Sequence, residues 1–119
     1  MATNRTIAFL GAGNMAEAMI RGLLRGGHFA PGDVTASGPR EERMTELRDR
    51  FSIRTTTNNR EASTADIVVL SIKPQILGRV LAEVGSTIRP DALVISIAAG
   101  VPVSAIASKL GAGARVVRA

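Results

Sequence analysis

The chain reads as an α/β protein: a doubly wound, mostly parallel sheet in three layers, with helices on both faces. Short runs rich in β-branched residues alternate with helix-length amphipathic stretches along all 119 residues. Two of the runs, DIVVLSI at 66–72 and ALVISIA at 92–98, are apolar at successive positions, as parallel strands covered on both faces must be. Two glycines flanking a single alanine stand where the first strand meets the first helix.

The elements follow in order. TIAFL at 6–10 is the first strand, and Gly11-Ala12-Gly13 leads directly into a helix over 14–25. That helix is expected to stop at Gly26-Gly27, since glycine readily takes the left-handed conformation that ends a helix. DVTAS at 33–37 is the second strand. Pro39 is expected to open a charged helix to about residue 50, because its missing N–H costs nothing in a first turn. A short third strand at 52–56 and a helical turn near 59–64 lead to the fourth strand at 66–72. Lys73-Pro74 starts a helix to about 84, and the fifth strand covers 92–98. VSAIASKL at 103–110 is a short helix, and Arg115-Val116-Val117 begins a sixth strand. Repeated β-α-β with right-handed crossovers makes 3-2-1-4-5-6 the natural strand order. One domain is expected over residues 1–119. With no helix legible after the sixth strand, it is expected to be one part of a longer enzyme.

Composition narrows the function. The chain is 45% hydrophobic, mostly small aliphatics, which suits a modest layered core. It has no Trp and no Tyr, so stacking platforms for single-stranded nucleic acid are nearly absent. The net charge of +5 comes mainly from arginines that are scattered and often beside acids, as in Arg40-Glu41-Glu42-Arg43, so no nucleic-acid partner is expected. Zero cysteines exclude disulfides and thiolate metal sites, and His28 is the only histidine, so no metal site is expected. No apolar run approaches the ~20 residues that span a bilayer, and the first residues lack a secretory signal's apolar core; the expectation is no membrane partner and a cytoplasmic protein.

The glycine turn carries the chemistry. Gly11-x-Gly13-x-x-Ala16 fits the dinucleotide fingerprint G-x-G-x-x-G/A. Gly11 allows a tight turn, Gly13 lets backbone approach a pyrophosphate, and Ala16 lets the helix pack closely on the strand. The helix N-terminus adds unpaired N–H groups and the positive end of its dipole. Plain turn glycines are the alternative, but the strand before and the helix after are the context the fingerprint requires. This is the setting of a Rossmann domain.

The end of the second strand bears on which dinucleotide. A domain that binds NAD usually has Asp or Glu there, on the ribose 2′-OH. Here the strand ends Thr35-Ala36-Ser37-Gly38-Pro39-Arg40; Asp33 comes too early and Glu41 lies in the next helix. A Ser hydroxyl, a helix N-terminus and an Arg fork suit a 2′-phosphate, so NADP is expected, with NADPH preferred over NADH. Otherwise Ser37 and Arg40 merely begin a helix. The loops Ser71-Ile72-Lys73-Pro74 and Ile97-Ala98-Ala99-Gly100 follow strands four and five, beside the same crevice. Lys73 invites reading as a proton donor, or as a plain loop residue before a Pro-started helix; no catalytic residue is assigned.

The segments FLGAGNMAEAMIRGLL, ADIVVLSIKPQ and LVISIAAGV, in this order and spacing, resemble the Δ1-pyrroline-5-carboxylate reductases, over a span from Ile7 to Arg118. The resemblance implies reduction of a small cyclic imine to L-proline by NAD(P)H. It implies cofactor contacts at Gly11, Ala12, Gly13, Asn14, Met15 and Ala16, and at Ser37, Gly38 and Arg40. It adds Asn59, Ser71, Ile72, Lys73 and Pro74, and then Ile97, Ala98 and Ala99. Asn59 comes from the resemblance alone; by pattern it is a polar loop residue, suited to a helix cap. In that family the chain continues into a helical domain that supplies dimerisation, the substrate carboxylate site and a proton-donating hydroxyl. The resemblance therefore implies a cofactor domain that is inactive alone and monomeric or weakly dimeric, in a homo-oligomeric full-length enzyme. A non-catalytic NADP-binding or redox-sensing module and another β-hydroxyacid-type dehydrogenase are the alternatives; the Ser-Ile-Ala-Ala-Gly loop argues against the second.

Overall fold

A computed structural model describes residues 4–97, 100–110 and 115–118. The chain alternates as its pattern requires. Strand β1 (Ile7–Leu10) runs through the glycine turn into helix α1 (Asn14–Arg25). A 3-10 turn at Pro31–Asp33 precedes β2 (Val34–Ser37), which leads to α2 (Glu41–Phe51), β3 (Arg54–Thr56) and α3 (Asn59–Ala62). The second half contains β4 (Ile67–Leu70), α4 (Pro74–Val84), β5 (Leu93–Ser96), α5 (Val103–Ala107) and β6 (Arg115–Arg118). Among the described residues, the six strands form one sheet in the order β3-β2-β1-β4-β5-β6, every pair parallel. That is the expected doubly wound order.

Alternation along the strands divides the core in two. Ala8, Leu10, Val68, Leu70 and Val94 face α4 and α5, where Leu77, Leu81, Val84 and Ile106 meet them. Ile7, Phe9, Val34, Ala36 and Val69 face the other way, against Ala16 and Ile20 of α1 and Met44 and Leu47 of α2. Each helix thus buries one apolar stripe on the sheet, giving three layers. On the α1–α2 side the later strands are less covered. Met19, Leu23, Val69, Ile95 and Ile97 line an apolar groove of about 520 Å³ there, and Val117, paired with Ile95, is 45% exposed. Among the described residues, no helix is long and apolar enough to cross a membrane.

Local chemistry explains where the elements differ from expectation. Helix α1 spans 14–25 as read, and Gly27 takes φ +69 just beyond it. Pro39 does not open α2: the helix starts at Glu41, with Arg40 as the extended N-cap. Arg40 takes extended φ −101 and ψ 116, so the helical conformation begins only after it. Asp33 belongs to the 3-10 turn, not to β2. The cap of α3 is Asn58, whose side chain accepts from Arg60 and Glu61 N–H, so Asn59 stands inside the first turn. Helix α5 ends at Ala107, short of residue 110.

Candidate functional site

The strand order reverses direction at β1, which has β2 on one side and β4 on the other. Loops leaving the carboxyl ends of these strands diverge there and open a crevice. The structure shows a crevice of about 420 Å³ lined by Gly11, Ala12 and Gly13, by Gly38, Pro39 and Arg40, and by Ser71, Ile72 and Lys73. Three loops separated in sequence thus meet at one place. Arg43, Met44 and Ile76 complete the lining.

The two glycines do different work. Gly11 has φ +102, and a Cβ on it would lie 2.4 Å from the Ser71 carbonyl oxygen and 2.6 Å from Ile72 Cγ2. Its N–H donates to the Ser37 carbonyl at 3.0 Å. Gly11 is therefore required by the fold, where the turn presses on the end of β4. Gly13 has ordinary φ −83 and ψ −167, and a Cβ there would meet nothing within 4 Å. No packing requires that glycine; the space in front of it faces the crevice. Gly13 is also the N-cap of α1, and no side chain caps it. The leading N–H groups of α1 have no acceptor within the helix, and the dipole adds partial positive charge there.

The turn is braced from both sides. Ser71 Oγ donates to the Gly11 carbonyl at 2.7 Å and to the Leu10 carbonyl at 3.1 Å. Arg43 Nε donates to the Ala12 carbonyl at 2.8 Å, and its terminal nitrogens pair with Glu17 at 2.9 Å and with Glu46. Glu17 also receives Arg21 at 2.8 Å and Arg50 at 3.2 Å. Burial pushes the Glu17 carboxyl upward, but the Arg43 hydrogen bond and the Arg50 and Arg43 charges outweigh it, leaving it below its ordinary value.

The remaining expected residues separate. Asn14 lines an adjoining open cavity with Arg40, Glu42, Arg43 and Glu46, while Met15 is 63% exposed and Ala16 is fully buried between α1 and the sheet. Ser37 is fully buried, and its hydroxyl donates to Asn59 Oδ1 at 2.7 Å rather than standing open toward a phosphate. Asn59 is thus tied to the tip of β2, a tertiary link that the reading as a local cap did not contain. Pro74 opens α4, with Lys73 as its exposed N-cap. Ile97 lies in the apolar groove instead of the crevice. Ala98 and Ala99 fall outside the described residues. The residue missed from sequence is Arg43; its only signal was a second arginine one helical turn beyond Arg40.

Known proteins share this fold. The chain is 37% identical over 116 residues to the pyrroline-5-carboxylate reductase of Escherichia coli, covering 97% of this chain and 43% of that protein. The structure of a pyrroline-5-carboxylate reductase from Coxiella burnetii superposes with a TM-score of 0.86 at 32% identity, over 98% of this chain and 43% of the other. The Plasmodium falciparum pyrroline carboxylate reductase, solved with NADP bound, has a TM-score of 0.84 over 99% of this chain and 42% of the other; at 23% identity that likeness is one of fold. The chain therefore spans less than half the length of these proteins. The family model described as NADP oxidoreductase, coenzyme F420-dependent, matches residues 6–100, from the start of β1 through the glycine turn, the braced crevice and β5, and the chain belongs to that family.

Proposed function

We propose that this chain is the cofactor-binding part of a pyrroline-5-carboxylate reductase and that its crevice holds NADP, with NADPH preferred over NADH. The observation that carries the reading is the pair of glycines. One is required by internal packing, and the other is left open at an uncapped helix N-terminus facing the crevice. An anion is the natural occupant of that place. The residues fit the rest of a dinucleotide: small loops from β1, β2 and β4 leave room for an extended ligand across the switch point.

The preference for NADPH rests on the tip of β2. Ser37 ends the strand, Gly38-Pro39 follows, and the guanidinium-bearing Arg40 stands exposed at the N-cap of α2. The strand tip presents no carboxylate where a ribose 2′-OH would be read. Glu42 and Glu46 do line the neighbouring cavity, and Glu46 is paired with Arg43. The buried Ser37–Asn59 pair shapes the floor beneath this corner.

The cofactor, when bound, supplies hydride to the imine carbon. The chain's own part is to bind and orient: the α1 N-terminus at the pyrophosphate, Arg40 at the 2′-phosphate, and the β4 loop along the nicotinamide side. The cations lining the crevice are Arg40, used for the 2′-phosphate in this reading, Arg43, tied to Glu17, and the exposed Lys73, and the cyclic imine is held mainly by further chain. Two observations support that division. The matched reductases are more than twice this length, and the open apolar groove beside Ile95 and Ile97 offers a surface for further chain to cover. This portion alone is then inactive and monomeric or weakly dimeric, while the whole enzyme is a homo-oligomer.

The test is steady-state NADPH oxidation by the full-length protein with pyrroline-5-carboxylate. The expected result is substrate-dependent turnover yielding proline. Binding of NADPH without any such turnover would remove the reductase assignment.

A further inference from the structure

The braced turn assigns a task to a residue outside the fingerprint. We infer that Arg43 is a positioning residue that clamps the phosphate turn in its binding shape, with Glu17 holding the guanidinium in place; this rests on the dinucleotide reading above. Arg43 lies on α2, thirty-one residues from Ala12, yet its Nε donates to the Ala12 carbonyl at 2.8 Å and a terminal nitrogen lies 3.5 Å from the Gly13 carbonyl. The same nitrogen is 2.9 Å from Glu17 on α1, and the side chain is only 14% exposed. Ser71 performs the matching task from the β4 side, on the Gly11 carbonyl.

The consequence follows from peptide geometry. A trans peptide is planar, so its N–H points opposite to its C=O. The carbonyls of Gly11, Ala12 and Gly13 share peptide units with the N–H groups of Ala12, Gly13 and Asn14. Arg43 holds the Ala12 carbonyl toward α2 and so aims the Gly13 N–H away from α2, while the Gly13 carbonyl is held by the Glu17 N–H at 3.0 Å and the Gly11 carbonyl by Ser71. A backbone N–H held in a fixed direction at a helix N-terminus is a preorganised anion donor. Arg43 thus fixes the direction of a donor that it does not itself supply. Glu17 keeps the fork in register, since one oxygen receives both Arg43 and Arg50 while the other receives Arg21.

A clamp and a ligand contact predict different variants. The pyrophosphate is common to NADPH and NADH, so a clamp acts on both cofactors equally. A direct contact to the 2′-phosphate acts on NADPH alone. A lysine keeps the charge but lacks the fork that reaches a carbonyl and two carboxylates at once.

The experiment is equilibrium titration of NADPH and NADH against the full-length protein and three variants, Arg43→Met, Arg43→Lys and Glu17→Gln, with folding checked by circular dichroism. Arg43→Met should weaken both cofactors by the same factor, about tenfold, the scale of one lost charge-assisted hydrogen bond. Arg43→Lys should recover little of that loss, and Glu17→Gln should weaken both cofactors in the same ratio. Amide hydrogen exchange should quicken at Gly11 and Glu17, whose N–H groups donate to the Ser37 and Gly13 carbonyls, in Arg43→Met while Phe9 and Val69 stay protected, a pattern that general destabilisation would not produce. A loss confined to NADPH, full rescue by lysine, or unchanged affinity for both cofactors would overturn the clamp and leave the crevice assignment standing. Absence of dinucleotide binding by the unaltered protein would instead overturn the crevice assignment itself. If Arg43→Met does not fold, Glu17→Gln decides by the same ratio.

Discussion

Gly11→Ala and Gly13→Val separate what the fold needs from what the ligand needs. At Gly11 an added Cβ lies 2.4 Å from a carbonyl oxygen and 2.6 Å from Ile72 Cγ2, on a backbone with φ +102. The backbone conformation costs an L-residue about 1–2 kcal/mol. Relieving the overlap costs about 1–3 kcal/mol more, because the oxygen belongs to the end of β4 and cannot swing aside. A loss of roughly 2–5 kcal/mol should lower the melting temperature by about 10 °C or more in a chain of this size. At Gly13 an added Cβ meets nothing within 4 Å and φ is ordinary. Losing a glycine N-cap costs at most about 1 kcal/mol. Valine there would nonetheless fill the space in which a phosphate oxygen must come to ~2.9 Å from the N–H groups of α1. NADPH affinity should fall at least about tenfold, which is ~1.4 kcal/mol. Thermal melts by circular dichroism and NADPH fluorescence titrations read both effects. The reasoning fails if Gly13→Val binds NADPH as tightly as the unaltered protein, or if Gly11→Ala melts where the unaltered protein does.

Two further outcomes follow from the geometry. Arg40→Ala should weaken NADPH by about 1.5–3 kcal/mol and leave NADH nearly unchanged, if the exposed guanidinium meets the 2′-phosphate; equal losses in parallel titrations would make Arg40 a structural residue. Acid stability should depend on Asp66, whose carboxylate accepts from Thr6 N–H at 2.9 Å and from Arg89 at 2.6 Å. The Thr6 backbone bond, opposed by burial and helped by the Thr6 hydroxyl and Arg89, holds its carboxyl below the ordinary value. A depressed folded pKa means that this stabilisation is complete above the unfolded value, about 3.9, and is lost as pH falls through the folded one. Asp66→Asn should therefore lower the urea midpoint at pH 7 and flatten its fall below pH 4; an unchanged slope would refute the assignment.

Much of this was legible in the chain because the governing rules are local. Gly13 and Gly26-Gly27 bracket α1, and two doubly apolar runs mark β4, inside the sheet, and β5, beside the edge strand β6. Alternation with right-handed crossovers then leaves little choice of strand order. The fingerprint places the turn, and the structure divides its glycines into one that packing requires and one that packing does not. What stayed hidden depends on reach across the fold. Nothing in the pattern shows that Arg43 bends back to the turn, since its partners Ala12 and Glu17 stand on other elements. Periodicity places Ser37 at the end of β2 but does not show its hydroxyl turned toward Asn59. Pro39 misled because proline suits a first helical turn, whereas here it serves the exit from a strand.

The central claim is that the crevice at Gly11–Gly13 holds a nicotinamide dinucleotide. Its most direct test is titration of NADPH into the folded protein, followed by nicotinamide fluorescence and competed with NADP. Saturable binding at one site per chain is expected, displaced fully by NADP and lost in Gly13→Val. A folded protein that shows no saturable NADPH binding, or binding that Gly13→Val leaves intact, would contradict it.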